Sequence, residues 1–190
     1  MYARSVVLNN RLYLFQNLST KNSRAIKVVD PDLRRIFQIP LIGKDNKVSH
    51  SRINYSITNM DNKVYIYGGL NDKSEVLSSM EMFDACTCKM SEVKYRLETK
   101  AAPRQGHAAI AVDKFNMIVI GGTQEVGLIS PKQLAPEELV YSFDLEAQTW
   151  HAKNKDLPAG SEPIPWNLVY HSLFKVDTQN VGVLWYDSVQ

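Results

Sequence analysis

The sequence predicts an all-β chain assembled from repeated units. Three observations carry that expectation: an apolar strand that runs into a glycine pair and recurs, a hairpin turn ahead of each copy, and an Asp-opened turn behind the first three. No helical period competes, since the best candidate, 132–141, contains Pro136 and leads directly into a strand.

The recurring strand reads KVYIYGG at 63–69 and MIVIGG at 117–122, with degenerate copies RLYLFQN at 11–17 and VGVLWYD at 181–187. Gln16, Gly68, Gly121 and either Trp185 or Tyr186 then align, at spacings of about 52, 53 and 64 residues. Each copy follows another apolar segment, starting at Tyr2, Tyr55, His107 and His171. The turns between the paired segments hold Asn9-Asn10, Asp61-Asn62, Asp113-Lys114 and Asp177-Thr178. Asn and Asp tolerate the left-handed backbone of tight hairpins, so four hairpins are expected in register.

A further strand pair follows each of the first three hairpins, in AIKVVDPDLRRIF (25–37), SMEMFDACTCKM (79–90) and VYSFDLEAQTW (140–150). Val29, Phe83 and Phe143 precede Asp30, Asp84 and Asp144, and six residues later come Ile36, Met90 and Trp150. The aspartates are expected to cap backbone N–H groups of the turn, and the large residues to anchor the second strand. Adjacent glycines at the end of a buried strand permit a backbone turn and a close approach that any side chain would block.

This layout resembles the kelch repeat. Copies at 53–90 and 104–150 carry Gly68, Gly69, Gly121, Gly122, Asp84, Asp144, Trp150 and the PRQGH stretch before the second hairpin. The copy at 2–37 lacks the glycines and the Trp, and the copy at 168–187 has only its first hairpin. The resemblance implies kelch-type β-propeller blades, each of four strands. Residues 1–190 are then one kelch-like segment of about three and a half blades, with repeats near 2–37, 53–90, 104–150 and an incomplete one over 168–190. A closed propeller takes roughly four to eight blades, so either a second chain or a missing segment of a longer protein is expected to complete this one. The strand at 181–186, with Leu184, Trp185 and Tyr186, is the expected seam.

Composition narrows the function. A net charge of +2 on 190 residues gives no concentrated basic field for nucleic acid or an anionic membrane. No apolar run approaches the roughly 18 residues of a membrane span, and no secretory leader is visible. Cys86 and Cys88 are too close for an unstrained disulfide and lack the companions of a zinc site, so free thiols in the cytoplasm, or the nucleus, are expected. The repeat itself accounts for the aspartates and for His107 and His171, which exchange with tyrosine; His50 and His151 have no ligand companions. No catalytic constellation, cofactor loop or metal cluster stands apart from the repeat, and the chain is not expected to be an enzyme.

Binding is expected from what does not repeat. The insertion at 123–138 offers Leu128, Ile129 and Leu134 as an apolar contact patch. The connection at 151–167 carries Trp166, either a packing anchor or an interface residue, and the loop at 70–77 is polar. Arg4, Arg52 and Arg104 stand near hairpin starts, where arginine can either pair with acceptors of a neighbouring blade or line a binding face. The resemblance implies a protein–protein interaction scaffold or adaptor, with a carbohydrate-binding or sugar-processing domain of the same type as the alternative.

Overall fold

A computed structural model describes residues 4–15, 25–40, 42–43, 52–96, 99–125, 134–135, 138–153, 168–178 and 180–184. These residues form β-sheet and connecting turns, with no α-helix among them. Blade I holds β1 (Arg4–Leu8), β2 (Arg11–Phe15), β3 (Ala25–Asp30) and β4 (Arg35–Pro40) in simple antiparallel order. Next come β5 (Ile42–Gly43) and blade II, with β6 (Ser56–Met60), β7 (Lys63–Tyr67), β8 (Met80–Asp84) and β9 (Lys89–Glu92). The short β5 pairs in parallel with β9, so the chain leaving blade I hems the outer edge of blade II. Blade III repeats the plan with β10 (Ala108–Ala111), β11 (Asn116–Ile120), β12 (Val140–Asp144) and β13 (Thr149–Ala152). Blade IV shows β14 (Ser172–Lys175) and β15 (Val181–Leu184). The inner strands β1, β6, β10 and β14 lie side by side in that order, which is the arrangement of propeller blades.

The turns form for the expected reasons. Asn9, Asn10, Asp61 and Asn62 all have positive φ, the geometry of a two-residue turn matched to strand twist. The outer hairpins are opened by the aspartates: Asp30 accepts from Leu33 N at 3.0 Å, Asp84 from Cys86 N and Asp144 from Ala147 N, each at 2.8 Å. They close on residues of positive φ, Arg34, Cys88 and Gln148. Cys88 therefore serves the turn, and both cysteines are free thiols.

Packing is face to face between successive blades. Tyr13, Phe15, Ile26 and Val28 of blade I meet Tyr55, Val64, Ile66, Phe83 and Met90 of blade II. The opposite face of blade II, with Met60, Tyr65 and Tyr67, meets Met117, Val119, Phe143 and Trp150 of blade III. The Trp150 ring lies 4.7 Å from Tyr67 and 4.8 Å from Phe143, centroid to centroid. A smaller cluster, including Ile120, Leu134, Val140 and Leu168, joins blade III to blade IV.

Ile36 departs from its repeat. Met90 and Trp150 are buried because each faces the preceding blade, whereas Ile36 is 64% exposed. No described residue forms a blade on that side of blade I, so the anchor position has nothing to pack against. Blade IV shows the converse. Its Phe174 and Val176 occupy the register of Thr58 and Met60, which blade III buries, yet they are 51% and 61% exposed.

The glycine pairs set the spacing between blades. Gly68 and Gly69 have φ of 63° and 90°, and Gly121 and Gly122 have 67° and 92°. A Cβ on Gly68 would lie 2.6 Å from the Arg104 carbonyl oxygen and 2.7 Å from His107 Cε1. A Gly68→Ala variant combines left-handed strain of about 1 kcal/mol with that overlap, so a loss of about 2–4 kcal/mol is expected in urea unfolding. A loss below about 0.5 kcal/mol would mean that the neighbouring backbone yields freely.

Candidate functional site

The residues just ahead of each inner strand form a repeated collar. Arg52-Ile53-Asn54-Tyr55, Arg104-Gln105-Gly106-His107 and Leu168-Val169-Tyr170-His171 occupy equivalent places. Backbone bonds pass along the series: Gly106 N donates to Asn54 O at 2.9 Å, and Tyr170 N to Gly106 O at 2.7 Å. Gly69 N likewise donates to Arg104 O at 2.9 Å, and Gly122 N to Leu168 O at 2.8 Å. Each glycine pair is thus tied to the collar of the following blade.

Arg52 and Arg104 are inside this frame. Both are at most 1% exposed. Arg104 donates from Nη1 to Gly121 O at 3.1 Å, from Nη2 to Glu138 O at 2.8 Å and from Nε to Ala102 O at 3.2 Å. Arg52 makes the matching bond to Gly68 O at 3.0 Å and reaches Ser79 O and Oγ. The blades balance the buried charge differently. Glu81 lies 3.4 Å from Arg52 Nε, at ion-pair distance but out of hydrogen-bond alignment, whereas Arg104 sits 5.2 Å above the Tyr141 ring. Burial pushes the Arg104 guanidinium below its ordinary value. Neither expected role is what these side chains show: they serve acceptors within their own blades and not those of a neighbouring blade, and they are buried away from the surface.

Arg4 stands elsewhere. It pairs with Phe15 as Ser56 pairs with Tyr67, Ala108 with Ile120 and Ser172 with Leu184. Arg4 is therefore the first residue of its inner strand, four places beyond the Arg52 position, and aligning Tyr2 with Tyr55 is one residue out. Arg4, Ser56, Ala108 and Ser172 line an axial cavity of about 300 Å³, with His107 and His171 in its wall.

Each collar aromatic reaches back to the preceding blade. Tyr55 donates to Phe15 O at 3.2 Å, and His107 Nε2 lies 2.9 Å from Ser56 Oγ. His171 is 5% exposed and lacks a side-chain partner, and the Ile120 backbone can serve only one of its ring nitrogens. The register gives the reason: Ala108 stands where Ser56 stands one blade earlier, so the hydroxyl is missing. Burial holds His171 at about 4 and His107 well below its ordinary value, leaving both neutral at physiological pH.

The collar also reaches the surface. Asn54 Nδ2 donates to Gln105 Oε1 at 2.9 Å and to the Tyr170 hydroxyl at 3.2 Å. Gln105 bridges to Thr123 through the backbone and donates from Nε2 to Glu125 O at 2.5 Å, which roots the 123–138 insertion in the collar. Tyr170 has φ of 57° and is 62% exposed, at a place that Asn54 and Gly106 fill elsewhere. None of Asn54, Gln105 and Tyr170 stood out in the sequence, because their meaning depends on a register the strand pattern leaves one residue uncertain. Leu134 is 3% exposed and packs inward with Ile120 and Leu168, so it anchors the insertion and is not part of a contact patch. Leu128, Ile129, Trp166, Trp185, Tyr186 and His50 lie outside the described residues. Among the described residues no group of three His, Cys, Asp or Glu is placed to hold a metal ion, and no helix is long and apolar enough to cross a membrane.

An Ala108→Ser variant should give His171 the partner that Ser56 gives His107. Thermal or urea unfolding is expected to show a gain of about 1 kcal/mol. A neutral or destabilising outcome would contradict the equivalence of the two sites.

The KLHDC2/KLHL20/DRC7 Kelch-repeats domain model matches residues 2–182. A search of curated proteins finds no match. The family match spans nearly the whole chain and agrees with the blade order, the glycine pairs and the Asp-opened turns: the chain belongs to the kelch-repeat family.

Proposed function

We propose that this chain is a protein–protein interaction module, acting as a scaffold or adaptor and not as an enzyme, which receives its partner on the collar face. Tyr170 carries the reading. Left-handed backbone costs a bulky residue roughly 1–2 kcal/mol, and an exposed ring returns little burial energy for it. An aromatic side chain held rigidly at the surface, with its hydroxyl positioned by Asn54, has the character of an interface anchor. The adjoining 123–138 insertion, with Leu128 and Ile129, extends the surface through Gln105, and Trp166 in the 151–167 connection is the other candidate contact.

Completion of the ring is a second part of the proposal. The exposed Phe174, Val176 and Leu184 of blade IV and the exposed Val7 and Ile36 of blade I are apolar surface of the kind that blades bury against each other. A second chain, or a further segment of the same polypeptide, is proposed to cover them. The free thiols of Cys86 and Cys88 favour the cytoplasm or nucleus as the working compartment.

The test is quantitative affinity capture from cells with the wild type, a Tyr170→Gly variant and a variant lacking 126–133. Tyr170→Gly relieves the backbone strain, so its unfolding temperature should hold or rise while recovery of specific partners falls at least about tenfold. Equal recovery by a folded Tyr170→Gly protein would remove the collar from the interface.

A further inference from the structure

The axial cavity has a chemistry that the repeat does not require. Ring positions in the other blades hold small residues, Ser56, Ala108 and Ser172, while blade I places Arg4 there. Ser5 and Ser172 add exposed hydroxyls, and no Asp or Glu lines the cavity among the described residues. The groups around His171 in this wall are the neutral His107 ahead of β10, with Arg4 and Arg104 near that ring, and the backbone of Ile120. All the fixed charge in that set is positive.

His171 supplies the second, independent observation. It is almost fully buried at the cavity wall, and the Ile120 backbone can serve only one of its two nitrogens, so the other is left without a partner. Such a group costs about 1–3 kcal/mol, and an orphaned polar side chain in a native site calls for an explanation. A bound group that accepts a hydrogen bond from the ring would provide one. An anion would also reverse the local balance. Burial keeps the imidazole neutral, and a negative charge beside it favours the imidazolium.

We propose that the axial cavity seats a small oxyanion, with Arg4 as the fixed charge, Ser5 and Ser172 as hydroxyl donors, and His171 taking up one proton from solvent as the anion enters. The complex then holds the anion, the guanidinium and an imidazolium, and affinity rises as pH falls. The seat lies beyond the interaction surface argued above and does not depend on it, because Tyr170 and the described residues of the 123–138 insertion are absent from its lining.

Titration calorimetry on the full chain tests this with sulfate and formate, which stand for tetrahedral and planar oxyanions. Both stay ionised between about pH 6 and about pH 8, so any proton taken up goes to the protein. At least one of the two is expected to bind at least about threefold more tightly at about pH 6 than at about pH 8, with a heat that depends on the buffer's ionisation enthalpy. Arg4→Gln should weaken binding at least about tenfold while the fold is retained. Ala108→Ser gives His171 an internal partner, so it should stabilise the protein and yet lower both affinity and proton uptake. A purely structural role for these residues predicts altered stability with unchanged binding. The proposal fails if neither anion binds, if binding is independent of pH, or if both folded variants bind as the wild type does.

Discussion

The architecture depends on how closely one blade's backbone can approach the next. At Gly69 and Gly122 an amide of one blade bonds to a carbonyl of the following collar, and the space at the pair excludes a Cβ. At Gly69 that contact sets the distance at which Tyr67 meets Trp150. It also fixes the direction of the Gly68 and Gly121 carbonyls, which receive the buried arginines. A guanidinium can be enclosed at such a place because its forked donors match several carbonyl acceptors at once. The apolar faces then close over a frame already defined by main-chain bonds.

Given that frame, the informative residues are those that differ at equivalent positions. Asn54, Gly106 and Tyr170 share one collar place with positive φ, and only the last carries a large exposed ring. Arg4, Ser56, Ala108 and Ser172 share one axial place, and only the first carries charge. Leu168 replaces the arginine of blades II and III while its carbonyl keeps the bond to Gly122. The main-chain role is therefore retained where the side-chain role is released. Differences of this kind show where the molecule departs from what the scaffold needs.

Much of the fold was legible from short-range chemistry. The Asn9-Asn10 and Asp61-Asn62 turns, the aspartate caps at Asp30, Asp84 and Asp144, and the glycine pairs are set by local backbone preferences that a sequence displays directly. Burial of an anchor was less legible, as Ile36 shows, because it depends on a neighbouring blade and not on the repeat itself. The site was harder still. Arginine near a hairpin start reads alike at residues 4, 52 and 104, yet strand pairing places Arg4 four positions beyond the other two, which separates an axial charge from an internal tie. Leu134 suggested surface because it sits in a long loop, but its side chain fills the gap between blades III and IV.

Native-state hydrogen exchange at the Gly69 and Gly122 amides tests the central constraint most directly. If the bonds between blades hold the frame, both amides should exchange only through global unfolding, at rates matching the buried strand amides of Ile66 and Val119. Exchange of either glycine as fast as the exposed turn amides, in a protein whose strands remain protected, would show that the blades are spaced by side-chain packing alone and would contradict this account.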